Sequence, residues 1–532
     1  MKPGSSFLTG AAILAAAGII CRLLGVVIRI PLANIVGNFG MGLYQMVFPL
    51  YSLLLIVSSA GVPVAISKMV AREKVAGDLR QCRRILLNSV VLLGVIGAAV
   101  SALFMVFAYQ IAGVQGNRDV GVIYLGIAPS VFLVCIIAAF RGYFQGFQNM
   151  IPTAASQIIE QVVKVAAGIT MAVLFIKISV VWAVFGAILA VTVSELIALA
   201  FLLIIYFISL RKKSPGTNKS PSAKRSSKGS LSVGTMWQIL KQSFPVTLMA
   251  SVFPLILVLD SMLIINMLTS AGTASKEATQ LFGISSGAVH TLINLPAVLA
   301  AAIATAIVPA VSALMKQDKI EELRAKMSLS VKITLLISIF FTAFYLAFAP
   351  KLIDLLYHGA FKEEPGHLTL AGRLLKIESA LIFLIGISSV FTAMLQGADK
   401  AKFPLIALLL GGAAKIAFQF SMIKSIGIYA VSLGNVICFT IAAILNTIFA
   451  LHFIKIKRGL SQNAVRMTAL AAVFALAVGL LAYFMPQNRW WVILSGALSL
   501  IIYAILVAMF GYLRFNKLNV GYKSDRKQKE KQ

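Results

Sequence analysis

Eight ionisable side chains stand out inside long apolar runs: Arg22, Arg29, Glu160, Lys164, Glu195, Asp260, Glu378 and Lys415. At membrane depth each costs at least ~2.5–3.5 kcal/mol on insertion scales, so each needs a chemical reason to be there. Arg22 and Arg29 are seven apart, on one helical face, with no acid in the same run. Two unpaired guanidiniums make an anion site, because arginine binds phosphate bidentately. The plainer alternative is that one of them sits at a helix end and snorkels. Glu160 and Lys164, four apart, can close an ion pair on one face, as a structural bridge as readily as a coupling element. Asp260, within LILVLDSMLII, is either a cation or proton site or the partner of a distant base such as Lys415. Glu195 has no evident partner, and Glu378 is expected near the external interface, where snorkelling is cheap. His290 is one of only four histidines, and such a residue is more often a satisfied buried group than a titrating one.

No enzyme constellation accompanies these residues. The chain holds no Walker A loop, no G-x-S-x-G and no H-E-x-x-H. No catalytic residues, resident metal or cofactor are therefore expected, beyond coupling to a monovalent cation or a proton. His358, Glu363, Glu364 and His367 share one loop region, but their spacing is irregular for a metal site. Cys21, Cys82, Cys135 and Cys438 have neither zinc spacing nor extracellular pairing.

The elements that must position these groups follow from composition. The 532 residues are 60% apolar and 12% charged, with a formal charge of +30. A soluble domain is about 45–50% apolar and about 25% charged, so a water-soluble surface is excluded. The +30 balance does not indicate nucleic acid, because the bases fall in short clusters between apolar runs. About 20 apolar residues of helix cross a bilayer core. Fourteen such runs follow one another, from 7–30 and 42–66 to 465–484 and 491–512. The expected fold is an all-α polytopic membrane protein of about fourteen helices. With the N-terminus inside, 34 of the 47 Lys and Arg fall on cytoplasmic segments, which predicts a multi-pass protein of the cell membrane with both termini cytoplasmic.

The segment 211–235 is rich in Ser, Lys, Pro and Gly and reads as a linker. It separates an N-terminal lobe of six spans (1–210) from a C-terminal lobe of six (236–456), followed by two further spans (457–513) and a basic cytoplasmic tail (514–532). The lobes show weak internal similarity. Gln145-Gly146 precedes Lys164 by nineteen residues, as Gln396-Gly397 precedes Lys415. Parallel repeats of this kind place a substrate site between the halves.

Four segments carry a family resemblance: CRLLGVVIRIPLANIVG, GVPVAISKMVARE, RGYFQGFQNMIPTAASQIIEQVVK and LINLPAVLAAAIATAIVPAVSAL. They resemble the polysaccharide transporter branch of the multidrug/oligosaccharidyl-lipid/polysaccharide (MOP) exporter superfamily, the branch of stage V sporulation protein B-like proteins and lipid II flippases. The resemblance implies two six-helix lobes around an alternately opening cavity, and a bacterial flippase that moves a lipid-linked sugar pyrophosphate to the outer leaflet. It implies substrate contacts at Arg22, which matches a first-helix arginine, and at Arg29, one residue late against a second. Thr291 aligns where the family has an arginine, with His290 adjacent, and a basic residue in span 2 is missing. Asp260 resembles an acid of the family's sodium site, and Lys415 lies in the helix that should supply the other ligands, so its ammonium is expected to neutralise Asp260 in place of an ion. The implied partners are a lipid-linked glycan, anionic membrane lipids and cell-envelope synthesis enzymes. Two rival readings are a cation-coupled multidrug exporter of the same superfamily and a membrane glycosyltransferase or ligase using the same lipid carrier. A non-transporting scaffold in envelope or spore assembly is a third.

Overall fold

Within hydrocarbon every backbone N–H and C=O must be satisfied inside the segment, and a run of apolar residues meets that condition as a helix. The computed structural model describes residues 3–59, 61–211, 232–362, 364–454, 460–486 and 488–512. Most of the 211–235 linker and all of the 514–532 tail lie outside the described residues. The described residues form helices and no strands. In chain order these are α1 (Pro3–Val27), α2 (Arg29–Ser59), α3 (Val62–Val75), α4 (Leu79–Val106), α5 (Ala108–Val114), α6 (Val120–Gly146), α7 (Ile151–Phe175) and α8 (Val180–Arg211). There follow α9 (Val233–Ser270), α10 (Ser275–Phe282), a π-helical stretch (Gly283–Val289), α11 (His290–Lys316), α12 (Ile320–Tyr357) and a 3₁₀ turn (His358–Phe361). The chain continues with α13 (Pro365–Gly397), α14 (Lys402–Ile426), α15 (Tyr429–Ile454), α16 (Leu460–Phe484) and α17 (Trp491–Met509).

Among the described residues, thirteen helical stretches are long and apolar enough to cross a membrane. The first, Ala16–Val75, is 60 residues long. At 1.5 Å per residue it would reach about three times the thickness of a bilayer core, so it contains more than one crossing. Two of the fourteen apolar runs, 7–30 and 42–66, fall within or across it, which reconciles thirteen stretches with fourteen runs. Inside α2 the backbone leaves the helical region at Gly37, where φ is 68°. That conformation favours glycine, because a Cβ would meet the following carbonyl.

Helices overrun their apolar segments where local chemistry lets them. Asp78 caps α4 by accepting from the N–H of Gln81 at 2.8 Å, and Ser232 caps α9 by accepting from Thr235 at 3.3 Å. On α4, Leu87, Val91 and Val95 stand exposed at successive turns. An apolar face of that kind suits lipid rather than water.

The helices sort into two compact units. The first takes Met1–Val298, Tyr357–His367 and Leu408–Cys438; the second takes Leu299–Leu356, Leu368–Ala407 and Phe439–Gln532. The first unit is built around α6, which is buried along most of its length, with a core of Ile66, Leu86, Cys135, Phe140 and Leu202 joining α3, α4, α6 and α8. The second has its own core, in which Val311, Leu323, Met394 and Ala450 meet from α11, α12, α13 and α15. Glu378 lies in this unit with no exposed surface. Its carboxylate is thus held inside the protein, which corrects the expectation that it snorkels.

In the first unit the 3₁₀ turn packs on α2. The N–H of Gly359 donates to Asn34 Oδ1 at 2.8 Å, and Asn38 Nδ2 donates to the carbonyl of Ala360 at 3.0 Å.

Candidate substrate cavity

Two close approaches bring the walls of a cavity together in the first unit. A Cβ placed on Gly42 of α2 would collide with the Thr279 carbonyl, and one on Gly283 would collide with the Asn38 carbonyl. Glycine at these positions lets α2 meet α10 (Ser275–Phe282) and the π-helical stretch backbone to backbone. Gln45 fixes the register by donating from Nε2 to the carbonyl of Ser286. Four residues later Pro49 removes a backbone donor, so the Gln45 carbonyl loses its intrahelical partner. The π turn widens the helix locally and turns Ser285 and Ser286 towards the open space.

The space between these walls is a cavity of about 180 Å³. Arg29, Asp260 and His290 all lie on its wall, together with apolar side chains such as Phe48, Leu257 and Ile264. Arg29 opens α2 after a turn at Ile28. Its guanidinium lies 5.4 Å from the centroid of the Phe48 ring, a cation–π contact that holds a planar charge over an apolar floor. Asp260 enters from the middle of α9. Lys415, from α14, donates from Nζ to Asp260 Oδ2. The pair is nearly shut off from solvent, with side-chain exposures of 5% for Lys415 and 12% for Asp260. The second carboxylate oxygen, Oδ1, has no hydrogen-bond partner among the described residues.

The other candidates lie elsewhere. Arg22 is exposed on α1, seven residues and about 10 Å of helix before Arg29, and is not part of the cavity wall. Thr291 is fully buried and stands outside the wall that its neighbour His290 joins. Glu160 and Lys164 close an ion pair at 3.3 Å along α7. Glu160 also receives Arg141 from α6, Nη2 to Oε2 at 3.0 Å, while Arg141 Nε donates to Ser156 Oγ at 3.1 Å. Arg141 stands near the end of α6, which continues past its apolar run to Gly146. Glu195, for which the sequence offers no partner, accepts a hydrogen bond from the hydroxyl of Tyr51.

His367 Nδ1 lies 2.5 Å from Glu364 Oε2, and Glu363 is outside the described residues. Among the described residues no three His, Cys, Asp or Glu side chains gather as metal ligands would.

A sequence profile described as "Polysaccharide biosynthesis protein" matches residues 7–315, and a second, MatE, matches residues 254–421. The chain is 28% identical over 523 residues to stage V sporulation protein B of Bacillus subtilis (strain 168), spanning 96% of this chain and 97% of that protein. It is 25% identical over 503 residues to the lipid II flippase MurJ of the same organism, spanning 89% and 88% of the two chains. Among solved structures, lipid II flippase MurJ in an inward closed conformation matches with a TM-score of 0.72 at 15% identity, over 94% of this chain and 98% of that one.

Proposed function

This chain belongs to the polysaccharide biosynthesis protein family, in the stage V sporulation protein B-like branch of the MOP exporter superfamily, and from that premise we propose that it is a flippase for a lipid-linked glycan. Its cargo is a polyprenyl-pyrophosphate-linked oligosaccharide or peptidoglycan precursor, carried to the outer leaflet by alternating access. The observation that carries this reading is Arg29 on the wall of an otherwise largely uncharged cavity at membrane depth. A guanidinium offers two parallel N–H donors to a phosphate and needs no second charge to orient it. His290 and the π-turn serines supply further hydrogen-bonding groups beside it. Arg22, exposed one step back along α1, meets the anion first, and Thr291 backs the wall at His290. Glu160 ties α7 to α6 through Arg141, with Lys164 paired to it on the same helix, and this cluster leaves the coupling role to Asp260 and Lys415. The name of the 25% identical relative, a lipid II flippase, supports the cargo class.

The protein sits in a bacterial cell membrane with both termini in the cytoplasm. Its six-span halves are 1–210 and 236–456, and anionic lipids and envelope-synthesis enzymes are partners that its excess of basic residues suits. The MatE match over 254–421, which includes Asp260, favours a second reading as a cation-coupled multidrug exporter. Lys415 argues against it, because its ammonium already occupies Asp260.

Reconstituted in liposomes, wild-type protein is expected to translocate a labelled undecaprenyl-pyrophosphate glycan. Arg29→Ala should slow it by at least about tenfold, the equivalent of ~1.4 kcal/mol. Equal rates for wild type and Arg29→Ala would dismiss the cavity as the route of the pyrophosphate.

A further inference from the structure

Among the described residues, Asp260 is the only carboxylate on the cavity wall. A bare carboxylate there would cancel the charge of Arg29 and offer its oxygens to cations. Its charge is instead taken up from behind. Lys415 does not line the cavity, yet its ammonium reaches Asp260 Oδ2 through the protein interior. Stability alone is a weak reason for this arrangement. Buried ion pairs can often be exchanged for apolar side chains at no loss, since desolvation offsets their attraction. The position of the pair suggests a different role, because one of its two charges faces the space a ligand enters and the other does not.

We propose that Lys415 sets the sign of the cavity: without touching the ligand, it makes the site select an anionic headgroup over an organic cation. This rests on the reading of the cavity as a pyrophosphate site. With Lys415 in place, Asp260 and Lys415 sum to zero and Arg29 leaves the wall cationic. Without it, Arg29 and Asp260 sum to zero and the carboxylate, whose Oδ1 has no hydrogen-bond partner among the described residues, becomes a seat for a cation. Selectivity of this kind comes from the element that repels the wrong ligand as much as from the one that attracts the right one. Lys415 is thus a positioning residue that masks a repulsive group.

The test uses the full-length protein in nanodiscs, with inorganic pyrophosphate and tetraethylammonium as probes in calorimetric titrations. Lys415→Gln removes the charge while keeping a donor for Asp260. It is expected to weaken pyrophosphate binding by at least about tenfold and to create tetraethylammonium binding that the wild type lacks. The double variant Asp260→Asn/Lys415→Gln is neutral on both sides and is expected to recover pyrophosphate binding and lose the cation. Unchanged pyrophosphate binding in Lys415→Gln, or a double variant that behaves like the single one, would overturn the proposal. Should Lys415→Gln fail to fold, Asp260→Asn carries the test: pyrophosphate must bind more tightly than to wild type, and unchanged affinity rejects the masking role. If the wild type binds no pyrophosphate, the flippase reading loses its headgroup site. The gain of tetraethylammonium in Lys415→Gln still decides the role of Lys415.

Discussion

The hydroxyl of Tyr51, on α2, donates to Oε1 of Glu195, on α8, a carboxyl group with no exposed surface. The other oxygen, Oε2, has no partner among the described residues. Tyr51→Phe keeps the ring and removes the one hydrogen-bond donor to Glu195 among the described residues. It is expected to cost ~1–3 kcal/mol, the penalty for a buried acceptor left unsatisfied. Adding Glu195→Leu to Tyr51→Phe should return part of that stability, since two apolar groups then face each other. Thermal unfolding of the three proteins in detergent, wild type included, checks this, and a double variant less stable than Tyr51→Phe would refute it.

Glu160 serves two cations at once, Arg141 at 3.0 Å and Lys164 at 3.3 Å. The two sides of this cluster should therefore respond unequally. Glu160→Gln strands two partly buried charges and is expected to destabilise by about 3–5 kcal/mol. Lys164→Met leaves the Arg141 bond intact and should cost clearly less. The comparison is read from the midpoint of thermal aggregation of each purified variant. Equal losses would mean that Arg141 contributes nothing to the pair.

At Gly283 a methyl group would run into the Asn38 carbonyl and the backbone of Gly42. Gly283→Ala should therefore separate α2 from the π turn and reduce both folded yield and thermal stability. Gly479, within α16, has nothing within 4 Å of an added Cβ. Gly479→Ala is expected to be neutral or to stabilise by up to ~1 kcal/mol through helix propensity. Size-exclusion profiles and melting temperatures of the two variants distinguish local collision from a general intolerance of alanine.

Much of the fold is legible in the chain because a bilayer allows so few solutions: twenty apolar residues in a row have to be helical. The ends of the helices are less legible. Polar residues continue α12 back to Ile320 and α6 on to Gly146, beyond the apolar runs that mark them. Asp260 and Lys415 could be singled out because ionisable groups are so rare in these spans. Tyr51 could not, since a tyrosine in an apolar stretch carries no such mark. The π-helical stretch left only glycines and serines as a trace, and without it nothing distinguishes His290, on the cavity wall, from Thr291, behind it.

The asparagines that hold the 3₁₀ turn, Asn34 and Asn38, stand on either side of Gly37. The break in α2 is therefore splinted by a piece of chain more than three hundred residues away in sequence. α2 can straighten at Gly37 only by giving up its hold on Gly359 and Ala360. The bend of one helix and the seating of a distant turn are thus a single mechanical joint, and neither can be set independently of the other.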